Sequence, residues 1–432
     1  MTRSGRMESA GQDPAQGFRD LRERIFEVFA GMNLSHQRRL GVAVSGGGDS
    51  MALLHLLTSW QPEGMSVIAV SVDHRLRPEA VDECRFVAEF AARKSIQHAV
   101  LTLDPSSWTG NLSAAARDAR YEALTAWAHG ESISMIALGH TRTDQAETVL
   151  MNLARGSGVD GLAAMPGLLC QNAIDWVRPL LTCGRTELRD YLAAEQVPWA
   201  EDPGNLSDAY LRVRIRKFLA ENDLGLREES LAMTAGHMQA AKRIVDHLLR
   251  QTITAGVSVN DIGEYRVKQT IWQLDASLRE RVFAALVRRL SNDRHPRRTQ
   301  ALKNSLSALA DDGIATIGSV ILLGEASGDV LLVRDHRRCG SRDSAGLWDR
   351  RWRVGIPDRL LASCVLAPLG MDAAAALVGS VDEMYSQRGL AATPALWRDG
   401  ELIAHVLDDS NADISFVYSR TVGDLVNGPG QC

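Results

Sequence analysis

Short apolar runs alternate with amphipathic stretches along the first part of the chain. Apolar runs at residues 40–44, 67–72, 96–103 and 134–138 predict β-strands, while residues 50–59, 78–94 and 112–128 carry apolar positions at helical spacing. Unbroken apolar strands that are separated by helices are typical of a parallel sheet with helices on both faces. The pattern therefore predicts an α/β fold built on a twisted parallel sheet.

The pattern changes after residue 160. Residues 162–205 predict one more unit of helix and strand, and residues 208–250 are polar and strongly helical. Farther on, a helical pattern at 278–290 is followed by strand patterns at 316–323 and 330–333. We therefore expect a helical region after the parallel sheet, and then a smaller α+β C-terminal part.

Composition excludes several classes of protein. The chain has 432 residues and a net charge of −5, and no apolar run approaches the ~18 residues that span a bilayer. The N-terminus lacks the apolar core of a signal peptide, so we expect a cytoplasmic protein with no membrane partner. Six scattered cysteines without a CxxC pair argue against structural zinc or an iron–sulfur cluster. Because the net charge is negative, any contact with nucleic acid must come from local basic patches.

A glycine-rich segment follows the first predicted strand and leads into the first predicted helix. It consists of Ser45, Gly46, Gly47, Gly48, Asp49 and Ser50. Three glycines let the backbone turn tightly and direct several N–H groups at one point, and the helix N-terminus behind them favours an anion. The segment has neither the GxxxxGK[ST] pattern of P-loop NTPases nor the GxGxxG pattern of dinucleotide-binding proteins. It therefore predicts a phosphate-binding loop of another kind.

Two more polar segments follow predicted strands. One begins at Asp73, and the other contains Gly139 and His140. Because the carboxyl ends of parallel strands meet at one edge of a sheet, we expect both segments to converge with residues 45–50 on one ligand site.

Residues 45–50 resemble the SGGxDS loop of the N-type ATP pyrophosphatases, which have a Rossmann-like fold. These enzymes cleave ATP between the α and β phosphates and form an adenylylated intermediate that a nucleophile attacks. Seven further segments resemble one family within this group, the tRNA(Ile)-lysidine synthases. In order, they are VDHxLR at 72–77, ARxxRY at 116–121, GHxxDDQxET at 139–148, a glycine-containing stretch at 153–165, RPLL at 178–181, EDxxN at 201–205 and RNRxR at 212–216.

The resemblance implies an activity and its partners. ATP would adenylylate the C2 oxygen of the wobble cytidine in tRNA(Ile) with a CAU anticodon, and L-lysine would then displace AMP to give lysidine. The implied cofactors are ATP and Mg²⁺. The oligomeric state stays open, with a homodimer as one option.

The resemblance also implies where the nucleotide binds. Residues 45–50 would bind its pyrophosphate part, assisted by Asp73, Gly139 and His140. Asp49 would in addition hold Mg²⁺ against the phosphates, because Mg²⁺ prefers carboxylate and phosphate oxygens.

Two acids and two arginines are the further candidates for catalysis. Asp144 and Glu147 stand three residues apart on one helical face, where such acids can pair with cations, cap the helix or bind a substrate ammonium. The resemblance selects the last role, with lysine as the ligand. Arg120 and Arg212 would stabilise negative charge on the phosphoryl oxygens, since guanidinium groups bind such oxygens in a forked geometry.

Two positions depart from the family pattern. Thr143 stands where the family usually has the first of two consecutive acids, so a metal ligand at that position would be weakened or replaced. Val213 stands where the family often has Asn, which removes one polar contact near the phosphates. The glycine-rich loop, Asp144 and the arginines remain, so we expect an active enzyme.

A basic region lies farther along the chain. Residues 279–303 contain eight Lys and Arg residues against two acids. An apolar stripe would pack one side of this helix, while Arg281 and Arg288 share another face that can meet phosphates. A second basic set at 334–338 follows a predicted strand, and we expect it to extend the same surface.

These features divide the chain into four predicted parts. They are a disordered lead-in at 1–18, an ATP pyrophosphatase catalytic domain at 19–220, a helical and mixed tRNA-recognition domain at 221–335 and a C-terminal domain at 336–432. Three alternative functions stay open. A tRNA thiolase would normally show cysteines near these loops, and a small-molecule synthetase would not explain the basic region. A non-catalytic tRNA-binding relative would explain Thr143 and Val213.

Overall fold

The structure is a computed structural model. It describes residues 14–30, 39–60, 65–108, 110, 112–201, 211–291, 299–341, 347–378, 385–408 and 413–419. The chain divides into two compact units, with the boundary between Arg243 and Ile244. Each unit has its own sheets and cores. None of the described helices is long and apolar enough to cross a membrane.

The first unit alternates helices with short strands. Its helices are α1 (Pro14–Ala30), α2 (Gly48–Trp60), α3 (Glu79–Arg93), α4 (Leu112–Gly130), α5 (Arg142–Leu153), α6 (Val159–Leu162), α7 (Arg185–Ala194), α8 (Leu211–Glu221) and the beginning of α9 (Glu228–Gly256). Its strands are β1 (Arg39–Ala43), β2 (Ser66–Asp73), β3 (Gln97–Thr102), β4 (Met135–Leu138), β5 (Leu168–Gln171) and β6 (Ile174–Val177). The strands and helices predicted between residues 40 and 138 are all present, with ends shifted by at most two residues.

These strands form one sheet in the order β3-β2-β1-β4-β6-β5. Neighbours pair in parallel except for β5, which pairs antiparallel with β6. The predicted unit at 162–205 therefore contains a β-hairpin before its helix α7. The chain runs outward from β1 to β3 and then returns to β4 on the other side of β1. The strand order thus reverses between β1 and β4, where open α/β sheets bind their ligands.

Alternating residues of the sheet supply two cores. Val42 and Val44 pack with α1, α2, α3 and α7 on one face, while Ala43 packs with α4 on the other. The approach of α4 is close, because a Cβ atom on Gly41 would lie 3.1 Å from the Trp127 ring. Helices cover both faces of a mostly parallel sheet, which confirms the predicted fold class.

The second unit is built from antiparallel sheets. Its further helices are α10 (Gln269–Trp272), α11 (Ala276–Ser291), α12 (Thr299–Asp312), α13 (Asp358–Leu361), α14 (Met371–Val378) and α15 (Gln387–Ala391). Its strands are β7 (Val257–Val259), β8 (Tyr265–Val267), β9 (Ile314–Ile317), β10 (Val320–Gly324), β11 (Val330–Arg334), β12 (Leu347–Trp348), β13 (Trp352–Gly355), β14 (Val365–Pro368), β15 (Pro394–Arg398), β16 (Glu401–His405) and β17 (Ser415–Tyr418). Three sheets result, ordered β7-β8-β11-β10-β9, β12-β13-β17 and β14-β15-β16.

One strand prediction in this unit was wrong. Residues 316–323 are not a single strand, because β9 and β10 pair antiparallel across them. The chain reverses at Gly318, whose φ of 62° lies in the left-handed region that favours glycine. An apolar run on both sides of a tight turn has the same composition as one longer strand, so the hairpin was missed.

The predicted domain boundaries at residues 220 and 335 stay predictions. Residues 1–13 of the predicted lead-in lie outside the described part of the chain, and α1 already begins at Pro14.

Candidate active site

The glycine-rich loop joins β1 to α2 and is stabilised by hydrogen bonds between its own residues. The Ser50 hydroxyl donates to the Gly47 carbonyl at 2.9 Å, and the Ser45 backbone N–H donates to that hydroxyl at 3.1 Å. Gly46 has a φ of 86°, and its carbonyl accepts a hydrogen bond of 2.9 Å from the backbone N–H of Ala200. The loop is therefore fixed at the N-terminus of α2, where backbone N–H groups favour an anion.

The loop after β4 touches the glycine-rich loop directly. A Cβ atom on Gly139 would lie 3.1 Å from the Cα atom of Ser50 and 3.3 Å from the carbonyl carbon of Asp49. Only glycine fits this approach without a backbone shift. Two of the three predicted loops thus meet where the strand order reverses.

A cavity of about 200 Å³ involves the third loop. It is lined by α4 and by one histidine after each of β2 and β4, namely by His74, Ser113, Ala116, Arg117, Arg120, Tyr121 and His140. All three predicted loops therefore contribute to one region at the edge of the sheet.

The cavity combines two guanidinium groups, of Arg117 and Arg120, with two imidazoles. Burial lowers the pKa of Arg120, and no carboxylate pairs with this side chain among the described residues. Burial also lowers the pKa of His140 to about 3, outweighing the opposite effect of Asp144. The pKa of His74 is lowered by burial and by Arg120. The Nδ1 atoms of both histidines are buried, and neither has a hydrogen-bond partner in the described part of the chain. Such a cavity suits a ligand that carries negative charge and polar groups.

Asp49 and Asp144 are joined by an arginine that the sequence analysis did not single out. Arg185, the first residue of α7, places Nε 3.0 Å from Asp49 Oδ2 and Nη2 3.0 Å from Asp144 Oδ1. Asp144 also accepts hydrogen bonds from the backbone N–H and the hydroxyl of Thr141 at 2.8 and 2.9 Å, which caps α5. Burial opposes the ionisation of Asp144, but Arg185 and the Thr141 bonds outweigh it and lower its pKa.

Glu147 lies one turn farther along α5, and its side chain is fully buried. Its Oε1 accepts hydrogen bonds from Nε and Nη2 of Arg216 at 3.0 and 2.9 Å, while its Oε2 has no hydrogen-bond partner among the described residues. Burial, reinforced by Asp144, raises the pKa of Glu147 despite the arginine. A buried carboxylate with one unpaired oxygen can accept a further donor, such as an ammonium group.

A carboxylate lies beside Thr143, the position that departs from the family pattern. The Thr143 hydroxyl, in a side chain that is almost fully buried, donates to Glu228 Oε2 at 2.9 Å. Glu228 begins α9, 85 residues away in the chain. The position that lacks an acid thus receives one from another helix.

Two predicted site residues make no contact with the others in the described structure. The Asp73 carboxylate turns back and accepts the backbone N–H of Arg75 at 2.8 Å. Arg212 is half-buried one helical turn before Arg216 on α8, so both lie on the same side of that helix. Their roles stay predictions. Of the EDxxN segment, only Glu201 lies within the described residues.

The basic set at 334–338 is only partly the surface that we expected, because Arg337 and Arg338 are exposed whereas Arg334 is not. Arg334 is buried and forms two hydrogen bonds of 3.0 and 3.1 Å with Asp349. Arg337 is paired with Asp335 through two more hydrogen bonds. Arg334 is therefore a structural residue of the second unit, because a buried guanidinium must be paired.

The basic helix α11 is partly exposed. Arg288 faces solvent, whereas the guanidinium of Arg279 lies 5.2 Å from the Trp272 ring centre and donates to its carbonyl. The three basic residues between positions 292 and 298 fall outside the described residues.

The donor set near the loop fits Mg²⁺ in its usual mode. Asp49 and Asp144 offer hard carboxylate oxygens, and no cluster of three or more His, Cys, Asp or Glu side chains with metal-binding geometry occurs among the described residues. Mg²⁺ is commonly bound by one or two carboxylates, with water and substrate phosphates completing its shell.

Comparison with known proteins identifies the family. The PP-loop domain family matches residues 19–223. The chain is 36% identical to the tRNA(Ile)-lysidine synthase of Ruegeria pomeroyi, over 85% of this chain and 88% of that protein. It is 34% identical to the tRNA(Ile)-lysidine synthase of Mesorhizobium japonicum, over 87% and 85%. Among solved structures, the U34-tRNA thiolase NcsA of Methanococcus maripaludis aligns with 52% of this chain and 79% of that chain, at 18% identity and a TM-score of 0.44, which is too distant to carry an argument about function. The two synthases match over more than four-fifths of their length, and the chain therefore belongs to the tRNA(Ile)-lysidine synthase family.

Proposed function

We propose that this site forms lysidine by ligating lysine to the wobble cytidine of tRNA(Ile) with a CAU anticodon, while ATP is converted to AMP and pyrophosphate. The observation that carries the proposal is the ionic connection between two binding places. Arg185 lies 3.0 Å from both Asp49 and Asp144, which connects the phosphate-binding loop to the helix that carries Glu147. A lysine amine that is bound at Glu147 would thus be close to the adenylylated cytidine.

In the first step the C2 oxygen of the cytidine attacks the α-phosphorus of ATP, and pyrophosphate leaves. The loop at residues 45–50 binds the pyrophosphate through backbone N–H groups, and Gly139 allows the neighbouring loop to approach it. Arg120 stabilises the charge that develops on the phosphoryl oxygens, because no carboxylate in the described part of the chain pairs with it. His140 is neutral at physiological pH and contributes a polar ring to the cavity.

In the second step the ε-amine of lysine attacks C2, and AMP leaves with the former C2 oxygen. Asp144 and Glu147 bind the lysine. Only the free amine is nucleophilic, so the ammonium must first lose a proton. Glu147 is suited to accept it, because its Oε2 is unpaired among the residues that the structure describes and burial raises its pKa.

We assign Mg²⁺ to Asp49, where it would neutralise the pyrophosphate as that group leaves. Arg212, one turn from Arg216, would contact phosphate, and the exposed side of α11 would contact the tRNA backbone. We place the reaction in the cytoplasm. A homodimer stays a prediction, which sedimentation of the full chain would test.

The test incubates the protein with labelled lysine and a tRNA(Ile) transcript that carries a CAU anticodon, with and without ATP. Incorporation of lysine that requires ATP is the expected result. The control transcript differs only in the wobble base, which is changed from C to U, and it should incorporate no lysine. Tight binding of the CAU transcript without any incorporation would contradict the proposal and favour a non-catalytic tRNA-binding relative.

A further inference from the structure

Arg185 makes two contacts of different quality. Nη2 donates a hydrogen bond to Asp144 Oδ1 at 3.0 Å. Nε lies equally close to Asp49 Oδ2, but its N–H is not directed at that oxygen and finds no hydrogen-bond partner within the described ranges. The guanidinium is therefore hydrogen-bonded to Asp144 and only ion-paired with Asp49. The contact with Asp49 is the weaker of the two.

The position of Arg185 is set by packing rather than by its own charge. A cation in the first turn of a helix is opposed by the helix dipole. The helix is nevertheless fixed there, because Leu188 and Leu192 are fully buried in the core that α7 shares with α2. Tyr191 adds a hydrogen bond of 2.8 Å to His55 of α2. Since α2 also carries Asp49 in its first turn, Arg185 is kept next to this carboxylate.

The charges at this place are unbalanced. Two carboxylates face one guanidinium, and their side chains are 21%, 9% and 24% exposed for Asp49, Asp144 and Arg185. Arg189, Glu147 and His140 are the other ionisable groups that act on this pair of acids. A cation that approaches Asp49 therefore meets a carboxylate whose near oxygen is already paired with Arg185. The guanidinium and a divalent cation would compete for the same oxygen.

We propose that Arg185 is an internal counter-ion. Its guanidinium pairs with the Asp49 carboxylate until a divalent cation binds that carboxylate instead. Arg185 is in this sense a positioning residue. It keeps the loop carboxylate oriented while no metal is bound, and it remains bonded to Asp144 when Asp49 is released. The inference rests on the proposed function through one assignment, that of Asp49 as the metal ligand.

The test measures metal binding by the full chain in the absence of ATP, tRNA and lysine. Mn²⁺ is titrated and the free ion is followed by its electron paramagnetic resonance signal. The variant Arg185→Gln removes the charge but keeps much of the side-chain volume, and Arg185→Lys keeps the charge but not the fork. The matched control is Arg189→Gln, one turn farther along α7, where the side chain is 55% exposed and lies 3.9 Å from Glu201.

We expect Arg185→Gln to bind Mn²⁺ about tenfold more tightly than the wild type, because a competing positive charge is removed from the oxygen that the metal needs. Arg185→Lys should stay within about twofold of the wild type. Arg189→Gln removes a weaker influence on Asp49 from an exposed position, where water screens the charge, so it should tighten Mn²⁺ binding by no more than about twofold. Equal or weaker Mn²⁺ binding by Arg185→Gln would overturn the proposal and make Arg185 a purely structural residue. An equal gain in Arg189→Gln would also overturn it, since the effect would then be one of overall charge.

This readout is independent of lysidine formation. If lysine incorporation failed while Mn²⁺ binding tightened as expected, the proposed function would fall and the role of Arg185 would stand. The reverse pair of results would remove only the role of Arg185.

Discussion

Replacing Glu147 with Gln should separate lysine use from ATP use. The substitution keeps the shape of the side chain and one oxygen for Arg216, but removes the charge that would bind the lysine ammonium. A charge-assisted hydrogen bond to a buried carboxylate contributes about 2–3 kcal/mol. At about 1.4 kcal/mol for each factor of ten, the KM for lysine should rise roughly 30–150-fold. The adenylylation step should change little, because the hydrogen bonds of Glu147 within the described residues go to Arg216 and not to the loop that binds phosphate.

The same substitution should alter how stability depends on pH. Burial raises the pKa of Glu147 above its ordinary value of 4.5, so the folded chain binds this proton more tightly than the unfolded chain. The contribution of Glu147 to the stability of the wild type therefore falls as the pH rises from about 4.5 through the raised pKa, and the full cost remains above it. The Gln variant cannot ionise. The difference in Tm between variant and wild type should grow in favour of the variant across that range.

Two assays check this prediction. Lysine dependence is measured at saturating ATP and tRNA, and adenylylation is measured as the transfer of label from [α-³²P]ATP to tRNA without lysine. The matched control is Glu131→Gln, which removes a carboxylate from an exposed ion pair with Arg39 and should change neither quantity. A KM for lysine within about threefold of the wild type would refute the assignment of Glu147. So would a parallel loss of adenylylation, because Glu147 would then serve the whole site rather than the nucleophile.

Three further perturbations test other parts of the site. Gly139→Ala forces a Cβ atom to within 3.1–3.3 Å of the glycine-rich loop. It should therefore cost about 1–3 kcal/mol of stability and most of the ATP-dependent activity. The control Gly167→Ala, whose Cβ atom would have nothing within 4 Å, should change neither the stability nor the activity. An unchanged KM for ATP in Gly139→Ala would contradict the close approach. Thr143→Ala should cost about 1 kcal/mol of stability by removing the hydrogen bond to Glu228. Thr143→Asp should lower Tm further at pH 7, because it places two negative charges together. Its difference in Tm from the wild type should shrink as the pH falls and the carboxyl groups protonate. A Thr143→Asp variant that is more stable than the wild type at pH 7 would contradict this. The ring nitrogen shifts of His140 should stay constant from pH 8 to 5 in ¹⁵N NMR, because burial lowers its pKa to about 3, and a transition near pH 6.5 would show that the ring is not buried as described.

The parts of this site that are formed by residues adjacent in the chain could be predicted from the sequence. The strand before the loop, the three glycines and the helix after them are contiguous, and parallel strands bring their carboxyl ends together. The convergence of the loops at Ser50, Gly139 and His140 therefore follows from the predicted sheet.

The ionic partners could not be predicted, because they depend on how distant helices pack. Arg185 reaches Asp144 across 41 residues and Glu228 reaches Thr143 across 85. Neither Arg185 nor Glu228 lies in a recognisable motif. Arg185 does follow shortly after the RPLL segment, and this closeness was a usable signal that it belongs to the site. The buried Arg334 was misjudged for the same reason. A run of basic residues predicts an exposed surface unless its carboxylate partner, here 15 residues later, is known.

The most direct test of the account follows AMP release and lysine incorporation in one reaction, with [α-³²P]ATP, labelled lysine and the CAU transcript of tRNA(Ile). The wild type should release AMP and incorporate lysine in equal amounts. Asp49→Asn should give neither product, although its affinity for the tRNA should stay close to that of the wild type. AMP release that does not depend on lysine and tRNA, or lysine incorporation by Asp49→Asn at the wild-type rate, would contradict the central claim that this loop activates the tRNA for attack by lysine.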